Sequence, residues 1–100
     1  MIRHIVMWKL KEEAEGATRA ENAVKLKDKL DGCRNVVPGI LRFEVSIATP
    51  GLESSHDVVL DSDFADKAAL EGYKDHPIHV AIKPFVAAVR EARAGVDFEV

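Results

Sequence analysis

Residues Tyr73 to Val80, Tyr-Lys-Asp-His-Pro-Ile-His-Val, gather a phenol and two imidazoles around a proline. All three groups donate or accept protons near neutral pH when their surroundings help, so general acid/base work is the chemistry this stretch would support. Pro77 disfavours the helical conformation at His76 and fixes its own φ, so a helix carrying Tyr73 should stop just before it. His79 then falls in a fresh turn that leads into the next helix.

Two further histidines have the spacing to join them. His4 lies in Ile-Arg-His-Ile-Val-Met-Trp-Lys-Leu, whose alternation puts it on one strand face with Val6 and Trp8; His56 alternates with Val58 and Leu60 in another run. Both imidazoles therefore open onto apolar faces. If those faces look toward the helices, His4, His56, Tyr73 and His79 converge in a pocket walled by Val6, Trp8 and Val58. A mostly apolar hollow holding a few polar groups is the usual form of a small-molecule site.

Taken singly, each residue has a plainer role. A histidine on an apolar face is more often a packed core residue, Tyr73 alone would be a core aromatic with its hydroxyl at the surface, and His76 suits a helix C-terminus. Their co-occurrence is what points to chemistry. A metal is not expected: His76 and His79 are separated by a proline that spoils their aim at one ion, and no cysteine or nearby glutamate completes a tetrahedral set. No glycine-rich phosphate loop, nucleophile elbow or redox pair is present. The expected chemistry is proton transfer without a cofactor.

The elements that must position these groups follow from periodicity. Residues 2–10 read as a strand with apolar residues on both faces, Ile2, His4, Val6, Trp8 and Leu10 against Arg3, Ile5, Met7 and Lys9. Such a strand needs cover on both sides, and a second subunit is the simplest second cover. Thr18-Arg-Ala-Glu21 matches a capping box for a helix over 18–31, with Ala20, Ala23, Val24, Leu26 and Leu30 apolar and Gly32 as its stop. Residues 40–48 predict a strand with Leu41, Phe43, Val45 and Ile47 on one face, and 56–61 a third. A helix should start near Asp63 and end at Tyr73. Pro84 interrupts the next helical pattern, which predicts a turn over 77–82, a regular helix from Lys83 and a stop at Gly95. Val96, Phe98 and Val100 alternate with Asp97 and Glu99 in a last strand. The order strand, helix, strand, strand, helix, helix, strand is the split βαβ pattern of a ferredoxin-like α+β fold, a four-stranded antiparallel sheet with helices on one face.

Residues 1–100 fit one domain, and 47% hydrophobic with 31% charged residues is ordinary globular composition. The net charge of −3 and the lack of a basic stripe argue against a nucleic-acid partner. Arg3, His4 and Lys9 break any apolar leader, and no run approaches the roughly 20 apolar residues of a membrane span. The single Cys33 has no partner for an internal disulfide, which suits a reducing, cytoplasmic setting.

At these residues the chain resembles the stress-responsive dimeric α/β-barrel (Dabb) family. The resemblance rests on Arg3-His4, on His56-Asp57-Val58-Val59, on the Asp63 to Tyr73 segment, on His76-Pro77-Ile78-His79-Val80 and on Val96-Asp97-Phe98. It implies a homodimer whose two sheets close back to back into a dimeric α+β barrel. Members of the family include plant polyketide cyclases that close olivetolic acid by a cofactor-free aldol condensation. The resemblance implies a small carbonyl ligand and His79 as the general base that removes an α proton. Tyr73 would hydrogen-bond the carbonyl or enolate oxygen and help hold the His79 ring, while His4 and His56 position the substrate. Ala23, Val24 and Lys27 stand where the plant cyclases are more aromatic, and Trp8 brings bulk into the presumed pocket. Two other readings stand beside this one: a non-catalytic stress-related or assembly protein whose histidines serve packing, and a barrel-type monooxygenase.

Overall fold

In the computed structural model, which describes residues 1–100, alternation and capping place the elements largely where the sequence predicts them. The chain runs through β1 (Ile2–Leu10), a small hairpin of β2 (Glu13–Ala14) and β3 (Ala17–Thr18), α1 (Arg19–Asp31), β4 (Ile40–Ile47), β5 (Val58–Phe64), α2 (Lys67–Asp75), α3 (Pro77–Val89) and β6 (Arg90–Glu99). Four strands form one antiparallel sheet in the order β4-β5-β1-β6, with β1 inside. This is the expected ferredoxin-like topology. No helix is long and apolar enough to cross a membrane.

On the helix side of the sheet, Val6, Trp8 and Leu10 of β1 pack with Phe43, Leu60 and the α1 residues Leu26 and Leu30. The Thr18 hydroxyl accepts from the Glu21 amide at 3.2 Å, and Glu21 returns a carboxylate oxygen to the Thr18 amide at 3.0 Å. The capping box is therefore closed in both directions. Val24, read as part of the apolar stripe of α1, is 52% exposed, and Asn22 takes the buried place, donating to the Ala14 carbonyl of the hairpin. Leu41 also leaves its predicted face. The register slips between Ile40 and Arg42, so Leu41 is the extra residue of a bulge and lies exposed.

Three boundaries differ from the sequence reading, each for a physical reason. β5 continues to Phe64 because Asp63, expected to cap a helix, is instead held in the strand by Arg3 at 2.8 Å and Arg42 at 2.9 Å. Asp66 caps α2 in its place, accepting from the Ala69 amide at 2.8 Å. Helix α3 runs unbroken from Pro77 through Pro84, since the carbonyl that loses its partner belongs to Val80, which is 44% exposed and free to take water. Gly95 does not stop a helix; it lies inside β6, opposite Val6.

His76 is shared by two helices. It ends α2 and begins α3, with Pro77 in the first turn and its ring nitrogen Nδ1 accepting from the Ile78 amide at 3.1 Å. No loop separates the helices.

The loop before β4 meets α2 at Gly39, where a Cβ would lie 2.3 Å from that of Ala69. Gly39→Ala should therefore push the loop off α2 and cost about 1–3 kcal/mol as an overpacking change. Thermal unfolding checks this, with a drop of roughly 4–8 °C expected per kcal/mol in a domain of this size. An unchanged midpoint would mean that the loop yields freely.

Candidate active site

Helix α3 and the end of α2 stand over the β1 face that carries His4, Val6 and Trp8, and between them lies a cavity of about 400 Å³. That volume falls in the range of small-molecule sites. Tyr73, His79, Leu60, Ile82 and Val86 also line it, with Lys74, Lys83, Arg90 and Arg93 among the remaining residues, and it is open on one side. Trp8 is buried and forms wall; it does not fill the space.

Tyr73 is buried to 1% exposure, its ring 4.6 Å from that of His79 and 6.3 Å from that of His4. Its hydroxyl has no hydrogen-bond partner. A buried hydroxyl in that state has given up water and gained nothing in exchange, which is a costly arrangement unless a ligand completes it. Burial holds the phenol well above its usual pKa, so Tyr73 stays protonated and keeps its O–H available to donate.

The His79 ring is held from the other side. Its Nδ1–H donates to the Lys74 carbonyl at 3.0 Å, a group that α2 leaves free at its last turn. The lone pair therefore sits on Nε2. Burial lowers the pKa of His79 against the pull of that hydrogen bond, and the nearby charges of Lys83 and Lys74 lower it further. The ring is thus a neutral imidazole near pH 7, able to accept a proton. The sequence resemblance implied that Tyr73 would help hold the His79 ring; the two rings are in contact, and the hydrogen bond on the imidazole goes to the Lys74 carbonyl.

His4, only 5% exposed, donates from Nδ1 to the Asp97 carboxylate, which is also 3.5 Å from the Lys74 ammonium. Burial lowers the His4 pKa more than the Asp97 hydrogen bond raises it. Burial is the largest single influence on Asp97 and acts to raise it, but the hydrogen bonds and charges of His4 and Lys74 together outweigh it and hold the carboxyl below its ordinary range. The pair is an anionic carboxylate orienting a neutral ring, with Nε2 of His4 left free.

The sequence reading missed Asp97 as a site residue, because alternation set it on the face away from the apolar Val96 and Phe98. Register reverses that view: Asp97 pairs with His4 across β1 and β6, so it shares the helix side, while Val96 and Phe98 lie on the open side of the sheet.

His56 is not in the cavity. β5 pairs with β1 only as far as Val58 opposite Trp8, so alternation does not extend back to residue 56. Its ring meets the Ser55 hydroxyl at 2.8 Å in a separate crevice beside Met7 and Val59. Val58 is on the expected face but lies in the core rather than in the cavity wall. The sequence-predicted group thus divides: His4, Val6, Trp8, Tyr73 and His79 come together, and His56 and Val58 do not.

Two imidazoles kept neutral by burial make stability depend on pH. Unfolded, both titrate near 6.5; folded, both lie lower. Below pH 6.5 the unfolded chain binds protons first, so stability should fall as pH drops through the depressed folded-state values and be insensitive to these two rings above 6.5. Thermal unfolding at pH 7.5 and pH 5 measures this, and equal midpoints would show that the rings protonate freely in the fold.

The sequence profile of the stress responsive A/B barrel domain matches residues 2–100. The chain belongs to that family. Solved structures similar to it include dimeric ferredoxin-like proteins. A dimeric ferredoxin-like protein of unknown function from Jannaschia sp. CCS1 is 28% identical with a TM-score of 0.74, covering 99% of this chain and 98% of its own. A Dabb family protein with a ferredoxin-like fold from Mesorhizobium loti is 26% identical with a TM-score of 0.68, over 99% of this chain and 95% of its own. A putative antibiotic biosynthesis monooxygenase from Nitrosomonas europaea, at 17% identity and TM-score 0.74 over 100% of this chain and 98% of its own, is similar in fold alone. No match is found among curated protein sequences.

Proposed function

We propose that this Dabb protein is a homodimer whose cavity binds a small carbonyl compound and moves a proton at its α carbon without a cofactor, chemistry of the aldol-cyclase type. One observation carries the reading. An imidazole with one nitrogen anchored and a buried phenol whose hydroxyl has no partner line the same cavity, ring centroids 4.6 Å apart.

His79 Nε2 takes the proton as the α C–H bond breaks, and the electron pair passes into the carbonyl, forming an enolate. The Tyr73 O–H donates to the developing oxyanion from a buried position, where such a bond is strong. The enolate carbon then forms the new C–C bond at a second carbonyl, and the proton on His79 returns to the resulting alkoxide. His4, set by Asp97, positions the compound from the sheet side, and Val6 and Trp8 supply apolar wall.

Incubation with pentane-2,4-dione in D₂O tests the proton transfer. The protein should accelerate deuterium entry into the methyl groups above the buffer rate, as read by proton NMR. Exchange at the buffer rate would reject the reading.

The open face of the sheet supports the homodimer. Ile5, Met7 and Val59 lie there with Val96 at 56% and Phe98 at 40% exposure, a contiguous apolar patch of the kind that marks an interface. Phe98→Asp should convert the protein to a monomer by light scattering; a persistent dimer would place the interface elsewhere. The same face would serve a non-catalytic assembly protein, and the deuterium experiment separates the two readings. A cytoplasmic setting is proposed from the single, buried thiol of Cys33.

A further inference from the structure

The rim of the cavity is strongly basic although the chain as a whole is acidic. Lys83 lies one helical turn beyond His79 on α3, a rise of roughly 6 Å, so both side chains share one helix face. Arg90 closes α3, and Arg93 pairs with Trp8 across the sheet, so both are on the helix side of β6. All three line the cavity. None has an ion-pair partner. Nearby carboxylates are already engaged: Asp97 by His4 and Lys74, and Glu91 by Lys9 at 3.0 Å.

Gly95 adds a geometric detail. A Cβ there would lie 3.4 Å from one Arg93 guanidinium nitrogen and 3.6 Å from another. The guanidinium is therefore folded back over Gly95 along β6, in the direction of Asp97. A smaller cleft continuous in its lining with the main cavity, shared by His4, Lys74, Arg93 and Asp97, lies at this point. The fields of Arg93 and Lys74 reach His4, and those of Lys83 and Lys74 reach His79.

We propose that Lys83, Arg90 and Arg93 form an oxyanion-binding subsite, so that the compound this cavity takes is an anionic carbonyl compound with its charge at the rim and its reacting carbon inside. The inference rests on the carbonyl reading above and deepens it. Unpaired guanidinium groups suit planar or tetrahedral oxyanions, which they bind with two donors at once. The charge would be the compound's own carboxylate or a phosphate it carries.

Binding is measured by NMR titration of the His79→Ala protein, which lacks the proposed base, with neutral pentane-2,4-dione, with acetoacetate and with acetonylphosphonate. At least one anion should bind about tenfold or more tightly than the dione, as one additional charge-assisted contact would give. Preference between the two anions assigns the charge to carboxylate or phosphate. Arg90→Ala combined with Arg93→Ala should remove the advantage by weakening the anions more than the dione, and Lys83→Ala should reduce it in part. Raising the salt should erode it too, since these groups are exposed. Equal affinity for neutral and anionic probes, or an advantage that survives the arginine substitutions, overturns the subsite. Failure of deuterium exchange in the native protein would overturn the proton-transfer reading alone.

Discussion

His79→Ala should slow α-proton exchange by about 10²–10⁴-fold, the range lost when a positioned general base is removed. The fold and the dimer should remain, because the ring is half-buried and its one hydrogen bond, to the Lys74 carbonyl, ties down a group at the end of a helix that water can also reach. In the native protein the rate should decline as pH falls below 6.5 through the depressed His79 value, since a protonated ring has no lone pair to offer. The variant should lack that limb. Exchange unchanged by the substitution would remove His79 from the chemistry. A loss accompanied by unfolding would be recognised by circular dichroism, and His79→Gln, which keeps a donor for Lys74, then isolates the base.

Tyr73→Phe should act in opposite directions on rate and stability. The rate should drop by about 10²–10³-fold if the hydroxyl is the donor to the oxyanion. The stability should rise, because the unliganded protein carries that hydroxyl buried and unpaired, a burden of about 1–3 kcal/mol. A gain near 1 kcal/mol would move the melting midpoint up by roughly 4–8 °C. A plain core tyrosine would show no loss of rate, and one bonded to a neighbour would show a loss of stability. The double variant should be little slower than His79→Ala, as groups serving one step are far from additive.

Local signals made most of the fold legible, and long-range ones did not. Thr18 and Glu21 announce α1 because a capping box is complete within four neighbouring positions, and alternation over β1 announces both of its faces. The family-level architecture follows from the order of such elements. What failed depended on partners distant in sequence. Asp63 looked like a cap until Arg3 and Arg42 reached it across the sheet, and Pro84 looked like a break although α3 runs on through it, one turn beyond the exposed Val80. At the candidate site, Tyr73 and His79 were visible through the His-Pro step. Asp97 was hidden because its meaning lies in register: only pairing with His4 brings it to the helix side. His56 was included by extending alternation beyond the last paired residue.

The junction at His76 has a dynamic consequence. One residue serves as the end of α2 and the start of α3, so Tyr73 and His79 ride on a stiff elbow rather than on two rods joined by a hinge. Neither group has to be gathered in by closure of a lid, and little conformational entropy is left to lose when a guest arrives. Traffic into the hollow would then be governed by the swinging of long side chains at its lip, on the fast timescale of rotamer exchange, with the helices themselves standing still.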